Sequence, residues 1–174
     1  MARGVKIIRS LNINNRPSTL GSGKTQFCLH LAAECCQMGY RSIYIDTEQT
    51  FSSIRLLNMM NESIENREQL LELIRTETVF DYESLMNILN SIENQLAEET
   101  INDQIESPVV LLIIDSIAAP LRMSTSGYSR EHCLLLFTDC VKRLASRSNI
   151  LILGLFHSNK RIDCDFIRFH YFSY

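Results

Sequence analysis

Gly21-Ser22-Gly23-Lys24-Thr25, running directly into Gln26-Phe27-Cys28-Leu29-His30-Leu31-Ala32-Ala33, decides the fold of this chain. Glycines let a backbone turn so that successive N–H groups face phosphate oxygens, and a helix opening behind them adds partial positive charge. In such a loop Lys24 reaches the β- and γ-phosphates of a nucleotide, and the Thr25 hydroxyl ligates Mg²⁺. The full pattern has glycine five positions before Gly23. Here that position is Ser18, and the loop reads Ser18-Thr19-Leu20-Gly21-Ser22-Gly23-Lys24-Thr25. Serine adopts positive φ less readily than glycine, which alters the entry to the loop. The bland alternative is a glycine turn ahead of an ordinary helix, so the residues downstream must carry the claim.

A chain of 174 residues is one domain with room for a proper core. Its 45% hydrophobic and 21% charged content is ordinary for a soluble globular protein. A net charge of −3 gives no global drive towards nucleic acid, so DNA contact requires a local patch or a partner. The six cysteines, Cys28, Cys35, Cys36, Cys133, Cys140 and Cys164, have no metal-ligand spacing. Several fall in apolar helical patterns, which points to reduced thiols in a cytosolic or nuclear protein. The apolar runs 109–114 and 150–156 are of strand length and too short to span a bilayer, and no membrane partner is expected.

Residues 5–8, extending towards Ile13, read as a first strand and 14–19 as a loop, although Arg9, Asn12 and Asn14 suit a buried strand poorly. Residues 24–38 read as a helix with Phe27, Cys28, Leu31 and Cys35 on one face and Gly39 as its cap. A β-branched strand follows over 41–46, then helices over 51–60 and 65–75 and a short strand over 76–80. The 82–97 helix carries the stripe Leu85, Ile88, Leu89, Ile92 and Leu96, and 98–107 is an acidic linker. A continuous apolar strand over 108–114 ends at Asp115. A helix over 130–146 presents Leu134, Phe137, Val141 and Leu144, and 150–156 is another buried strand. Strands buried on both faces and alternating with helices specify an α/β fold with a mostly parallel sheet. Residues 1–159 form its core, with 160–174 as an irregular C-terminal tail.

Asp115 at the end of its apolar strand forms a Walker B arrangement: a carboxylate delivered to the sheet edge where the phosphate loop sits, able to hold Mg²⁺ or its water. An aspartate there can also be a simple helix cap. Glu48, in Tyr44-Ile45-Asp46-Thr47-Glu48-Gln49-Thr50-Phe51, follows the strand after the first helix and can orient an attacking water as general base. Its bland alternative is a solvated residue capping the next helix.

Together, Gly-Ser-Gly-Lys-Thr-Gln-Phe-Cys-Leu-x-Leu-Ala, Tyr-Ile-Asp-Thr-Glu-x-Thr-Phe and Leu-Ile-Ile-Asp-Ser-Ile-Ala-Ala-Pro-Leu-Arg closely resemble the eukaryotic RecA-like recombinases. The match is best for the paralogues that assist homologous recombination, and Asp115-Ser116-Ile117-Ala118-Ala119-Pro120-Leu121-Arg122 resembles the X-ray-repair cross-complementing branch. The resemblance covers residues 20–153. It implies a RecA-like P-loop NTPase core that uses ATP and Mg²⁺ in nuclear DNA repair. It also implies single-stranded DNA and other recombinase paralogues, or the main recombinase, as partners. Carried over by residue, Lys24 and Thr25 take the phosphate and Mg²⁺ roles. Glu48 takes the catalytic glutamate position, Asp115 the Walker B position, and Arg55 a place beside the nucleotide base. Arg55 also reads as a surface helix arginine.

Three departures stand out. Gln49 replaces the glycine that usually follows the glutamate. Leu153-Gly154-Leu155-Phe156-His157-Ser158 replaces a strand ending in an Asn-Gln pair that senses the γ-phosphate; His157 can donate a similar hydrogen bond or be an exposed strand-end residue. The chain also reads as a shortened core, expected to need a paralogue partner to form filaments. Residues 122–130, with Tyr128 between arginines, stand where the family has its first DNA loop, or form a flexible Ser/Gly loop. A hydrolysing paralogue and a non-hydrolysing structural subunit both remain open. A small nucleotide kinase would need an arginine-rich lid between Asp115 and Asn159, and none is present.

Overall fold

The computed structural model describes residues 23–60, 64–101, 107–122, 129–148, 150–155 and 166–169. The first helix, α1 (Lys24–Gln37), begins after Gly23, whose φ is 79°. It ends at Gly39, with φ 76°, a left-handed turn that costs a side-chain-bearing residue energy. There the Gly39 N–H donates to the Cys36 carbonyl at 2.8 Å and the Tyr40 N–H to the Cys35 carbonyl at 3.0 Å, satisfying the last carbonyls of the helix. The chain continues through β1 (Arg41–Asp46), α2 (Ser53–Leu57), α3 (Ile64–Leu71), β2 (Ile74–Thr78) and α4 (Tyr82–Ile101). After these come β3 (Val109–Asp115), α5 (Ala118–Arg122), α6 (Arg130–Ser148), β4 (Leu151–Leu155) and β5 (Phe166–Phe169).

The strands form one sheet in the order β2-β1-β3-β4-β5; β2, β1, β3 and β4 are parallel and β5 runs antiparallel to β4. Every residue of β3 is buried, because successive side chains enter different cores. Leu111 and Ile113 join Tyr44, Leu153 and the buried residues of α1 on one face. Leu112 and Ile114 join Ile43, Ile45, Ile152 and the apolar sides of α4 and α6 on the other. This is why the run before Asp115 shows no polar alternation: a strand covered on both faces has no solvated side.

The order of the strands reverses between β1 and β3, since the chain leaves β1 towards β2 on one side and later places β3 on the other. In open α/β sheets the crevice outside the carboxyl ends of strands at such a reversal is where ligands bind.

Several boundaries differ from those read in the sequence. The helix expected over 51–60 is only α2, because Asp46 draws in the amides of Thr50 and Phe51 and delays the helix to Ser53. Residues 65–75 give up Ile74 and Arg75 to β2, which starts two residues before the expected strand over 76–80. Helix α4 runs on to Ile101, four residues into the expected linker, and Arg41 grips its Glu99 at 2.6 Å. The short α5 was not foreseen. Four residues of the expected tail, Phe166–Phe169, pair with β4 as β5. The strand and loop expected over 5–8 and 14–19 lie outside the described residues. Cys28, Cys35, Cys36, Cys133 and Cys140 are buried thiols; burial pushes Cys35 and Cys36 up to about 12, so both stay protonated.

Gly154 in the middle of β4 lies directly beneath Ile117, and a β-carbon there would overlap the Ile117 side chain, itself completely buried. The Ile117 side chain is enclosed in the core and its backbone is held by an N–H bond to the Leu155 carbonyl at 2.7 Å, so relieving the overlap would require the surrounding core to repack. Gly154→Val is therefore expected to destabilise the fold by about 1–3 kcal/mol through overpacking. The urea midpoint measures this, and an unchanged midpoint would refute the close approach.

Candidate functional site

The carboxyl ends of β1 and β3 meet in register, with Asp46 opposite Asp115. Asp46, 5% exposed, is an anchor for the loop that follows it. Its Oδ1 accepts the amides of Glu48 and Thr50, each at 3.1 Å, and its Oδ2 accepts that of Phe51 at 2.8 Å. Three amides on one carboxylate are charge-assisted bonds that fix the path of the loop carrying Glu48. Inside it Gln49 is held at φ 58°. A left-handed conformation costs a residue with a β-carbon about 1–2 kcal/mol. Glycine relieves that strain but loses about 0.5–1 kcal/mol more chain entropy on folding. Gln49 is exposed and loses no packing, so Gln49→Gly is expected to stabilise the chain by roughly 0.5–1 kcal/mol. Chemical denaturation checks this, and a lower midpoint would show that Gln49 makes contributions beyond its backbone.

Asp115 is 1% exposed, and its Oδ2 accepts the Tyr44 hydroxyl at 2.8 Å. Burial and then the Asp115 charge push the Tyr44 phenol far above its ordinary range, so it remains a protonated donor. The Tyr44 ring lies against Phe51, with centroids 5.0 Å apart. The second turn of α1 packs on β3, Cys28 sharing a buried core with Leu111 and Ile113, and burial and then the Asp115 charge raise its thiol. Lys24 stands one turn earlier on the same side of α1 and is 6% exposed. Thr25 beside it is half-buried. The start of α1 and the end of β3 thus share one edge of the sheet.

Glu48 reaches that edge through a clamp between the two strand ends. The Thr47 N–H donates to the Asp115 carbonyl at 2.8 Å. The Thr47 Oγ1 accepts the Ser116 N–H at 2.7 Å and donates to the Ser116 carbonyl at 2.8 Å. The Ser116 hydroxyl in turn donates to Glu48 Oε1 at 2.7 Å. Glu48 itself is exposed.

Lys24, Thr25, Glu48 and Asp115 are therefore brought to one edge. Arg55 stands to the side, exposed on α2, its guanidinium donating to Gln26 Oε1 on the first turn of α1. Ser18, Thr19, Leu20, Gly21 and Ser22 lie outside the described residues, as do Tyr128 and His157. No group of three or more His, Cys, Asp or Glu side chains that could hold a metal occurs among the described residues. The available donors are a hydroxyl and a carboxylate. That hard-oxygen set suits Mg²⁺, which commonly takes one or two carboxylates, several waters and phosphate oxygens.

Sequence reasoning gave no role to Asp46, Tyr44, Thr47 or Ser116. A tyrosine in the middle of a buried strand must find a partner for its hydroxyl, and that signal points to a polar strand end beside it. An aspartate leaving a strand ahead of Thr-Glu is likewise a signal for side-chain-to-backbone bonding.

A family model described as Rad51 matches residues 8–164 of the chain. The chain is 28% identical over 142 residues to DNA repair protein rhp51 of Schizosaccharomyces pombe, covering 76% of this chain and 37% of that protein. It is 25% identical over 149 residues to DNA repair protein RAD51 homolog 4 of Bos taurus, covering 82% and 45% respectively. It is 33% identical over 144 residues to DNA repair protein RAD51 homolog 2 of Arabidopsis thaliana, covering 76% and 38%. The chain spans about two-fifths of the length of these relatives.

Proposed function

From the premise that the chain belongs to the Rad51 family, we propose that it binds ATP with Mg²⁺ at the edge shared by α1, β1 and β3 and hydrolyses it slowly. In this reading it serves homologous-recombination repair in the nucleus, within a complex with recombinase paralogues or the main recombinase on single-stranded DNA. Residues 1–159 form the ATPase core. One observation carries the proposal: Asp115 and the clamped Glu48 share a strand-end edge with a buried lysine at the start of α1.

Each residue then has a task. Residues 18–23 belong to the phosphate-binding site, and Lys24 neutralises charge on the β- and γ-phosphates. Mg²⁺, when bound, draws off negative charge from the phosphate oxygens; Thr25 and Asp115 would hold it. Glu48 orients a water and accepts its proton, and Arg55, paired with Gln26, borders the base. Contact with single strands rests on Arg122 and Arg130, both exposed.

Titrating a labelled ATP analogue with and without Mg²⁺ tests the proposal. Saturable binding that tightens with Mg²⁺ is expected, and its absence in both conditions overturns it. A second reading, a nucleotide-binding subunit without turnover, is favoured by Gln49 in a glycine-type conformation and by Ser18 in the phosphate loop. Turnover measured with single-stranded DNA and a paralogue partner separates the two.

A further inference from the structure

We infer that Ser116 is a positioning residue for Glu48, fixing the glutamate carboxylate relative to the strand that carries Asp115. The inference rests on the hydrolysing reading of the site. A glutamate on an exposed loop has many rotamers, and holding one of them requires a partner. Glu48 is such a residue, exposed on the loop after β1. Its partner is the Ser116 hydroxyl, which donates to Oε1 at 2.7 Å in a charge-assisted bond.

Ser116 has almost no freedom of its own. It is completely buried, and both its N–H and its carbonyl are bonded to the Thr47 hydroxyl. Thr47 is tied in turn to the Asp115 carbonyl. With the backbone held at both polar atoms, the Ser116 hydroxyl can move only by rotation about χ1. The carboxylate is therefore referenced to β3, one residue from Asp115, and not to its own loop. An ionised carboxylate accepts at about four sites, so one donated bond is compatible with taking a proton from water.

Ser116→Ala removes the hydroxyl and leaves every backbone bond of the clamp in place. Turnover by the full chain with DNA and partner, affinity for a non-hydrolysable ATP analogue, and the urea midpoint are measured for this variant, for Glu48→Gln and for the pair. The expected result is a drop in kcat on the order of 10- to 100-fold, the scale of a misplaced catalytic group. KM and analogue affinity should stay within about twofold, and the Glu48→Gln background should show no further loss. If Ser116→Ala lowers the midpoint, Ser116→Cys, similar in shape but a weak donor, should show the same drop in kcat.

Unchanged kcat in Ser116→Ala, alongside an impaired Glu48→Gln, overturns this inference alone. So does a further loss in the double variant, which would mean that Ser116 acts elsewhere. Absence of turnover in the unmodified chain overturns the hydrolysing reading and this inference with it.

Discussion

Lys24→Ala is expected to weaken ATP binding by more than an order of magnitude while leaving the fold intact. Lys24 is the cation at the start of α1, buried beside the carboxyl end of β3 and one turn before Cys28, which feels the Asp115 charge. Truncating one member of a desolvated charge pair costs about 2–5 kcal/mol, much of it from leaving the other charge unmatched. In the complex that other charge would be phosphate, so Kd should rise by roughly 30- to 5,000-fold. The helix should still form, because alanine is the best helix former. Isothermal titration with an ATP analogue and a urea denaturation curve together make the test. Unchanged affinity at unchanged stability would remove the phosphate-loop assignment.

Glu48→Gln is expected to separate binding from chemistry. The amide keeps the shape of the side chain, and its carbonyl oxygen can still accept the Ser116 hydroxyl. It cannot take a proton from water. A positioned general base contributes about 10²–10⁴-fold, equivalent to about 2.7–5.5 kcal/mol of barrier. Steady-state turnover should fall by that factor with analogue affinity within about twofold of the unmodified chain. Turnover that survives the substitution would assign proton transfer to another group.

Most elements, and the positions of Lys24 and Asp115 at the ends of theirs, were legible because each has a local signature. Gly-Lys-Thr announces a helix, Gly39 ends it, and β3 is a run of apolar residues closed by a carboxylate. The Rad51 family match over residues 8–164 agrees with the resemblance carried by these motifs. What could not be read was the support of the site. The Tyr44 hydroxyl meets Asp115, and the Thr47 hydroxyl meets Ser116, only because β1 and β3 pair in one particular register. No periodicity within either strand encodes that register. The late start of α2 was missed for a related reason: Asp46 overrode the local helical preference of residues 51 and 52, and β2 starts early because Ile74 pairs with Ser42 of β1. Tertiary bonds decided where local propensity was weak.

The bonds that hold the carboxylates across the strand ends join residues 68 to 71 positions apart in the chain. Contacts so distant in sequence form late, since the entropy of closing the intervening loop is lost before they can offset it. The site therefore cannot preexist in a partly folded chain; it comes into being with the sheet. A ligand that binds only there recognises the finished fold and draws the folding equilibrium towards it. At a free concentration a hundred times its dissociation constant, such a ligand adds about 2.7 kcal/mol to stability, a sizeable share of the 5–15 kcal/mol typical of a domain. If this chain binds nucleotide as proposed, the nucleotide would deepen the stability of the finished fold as well as serve its chemistry.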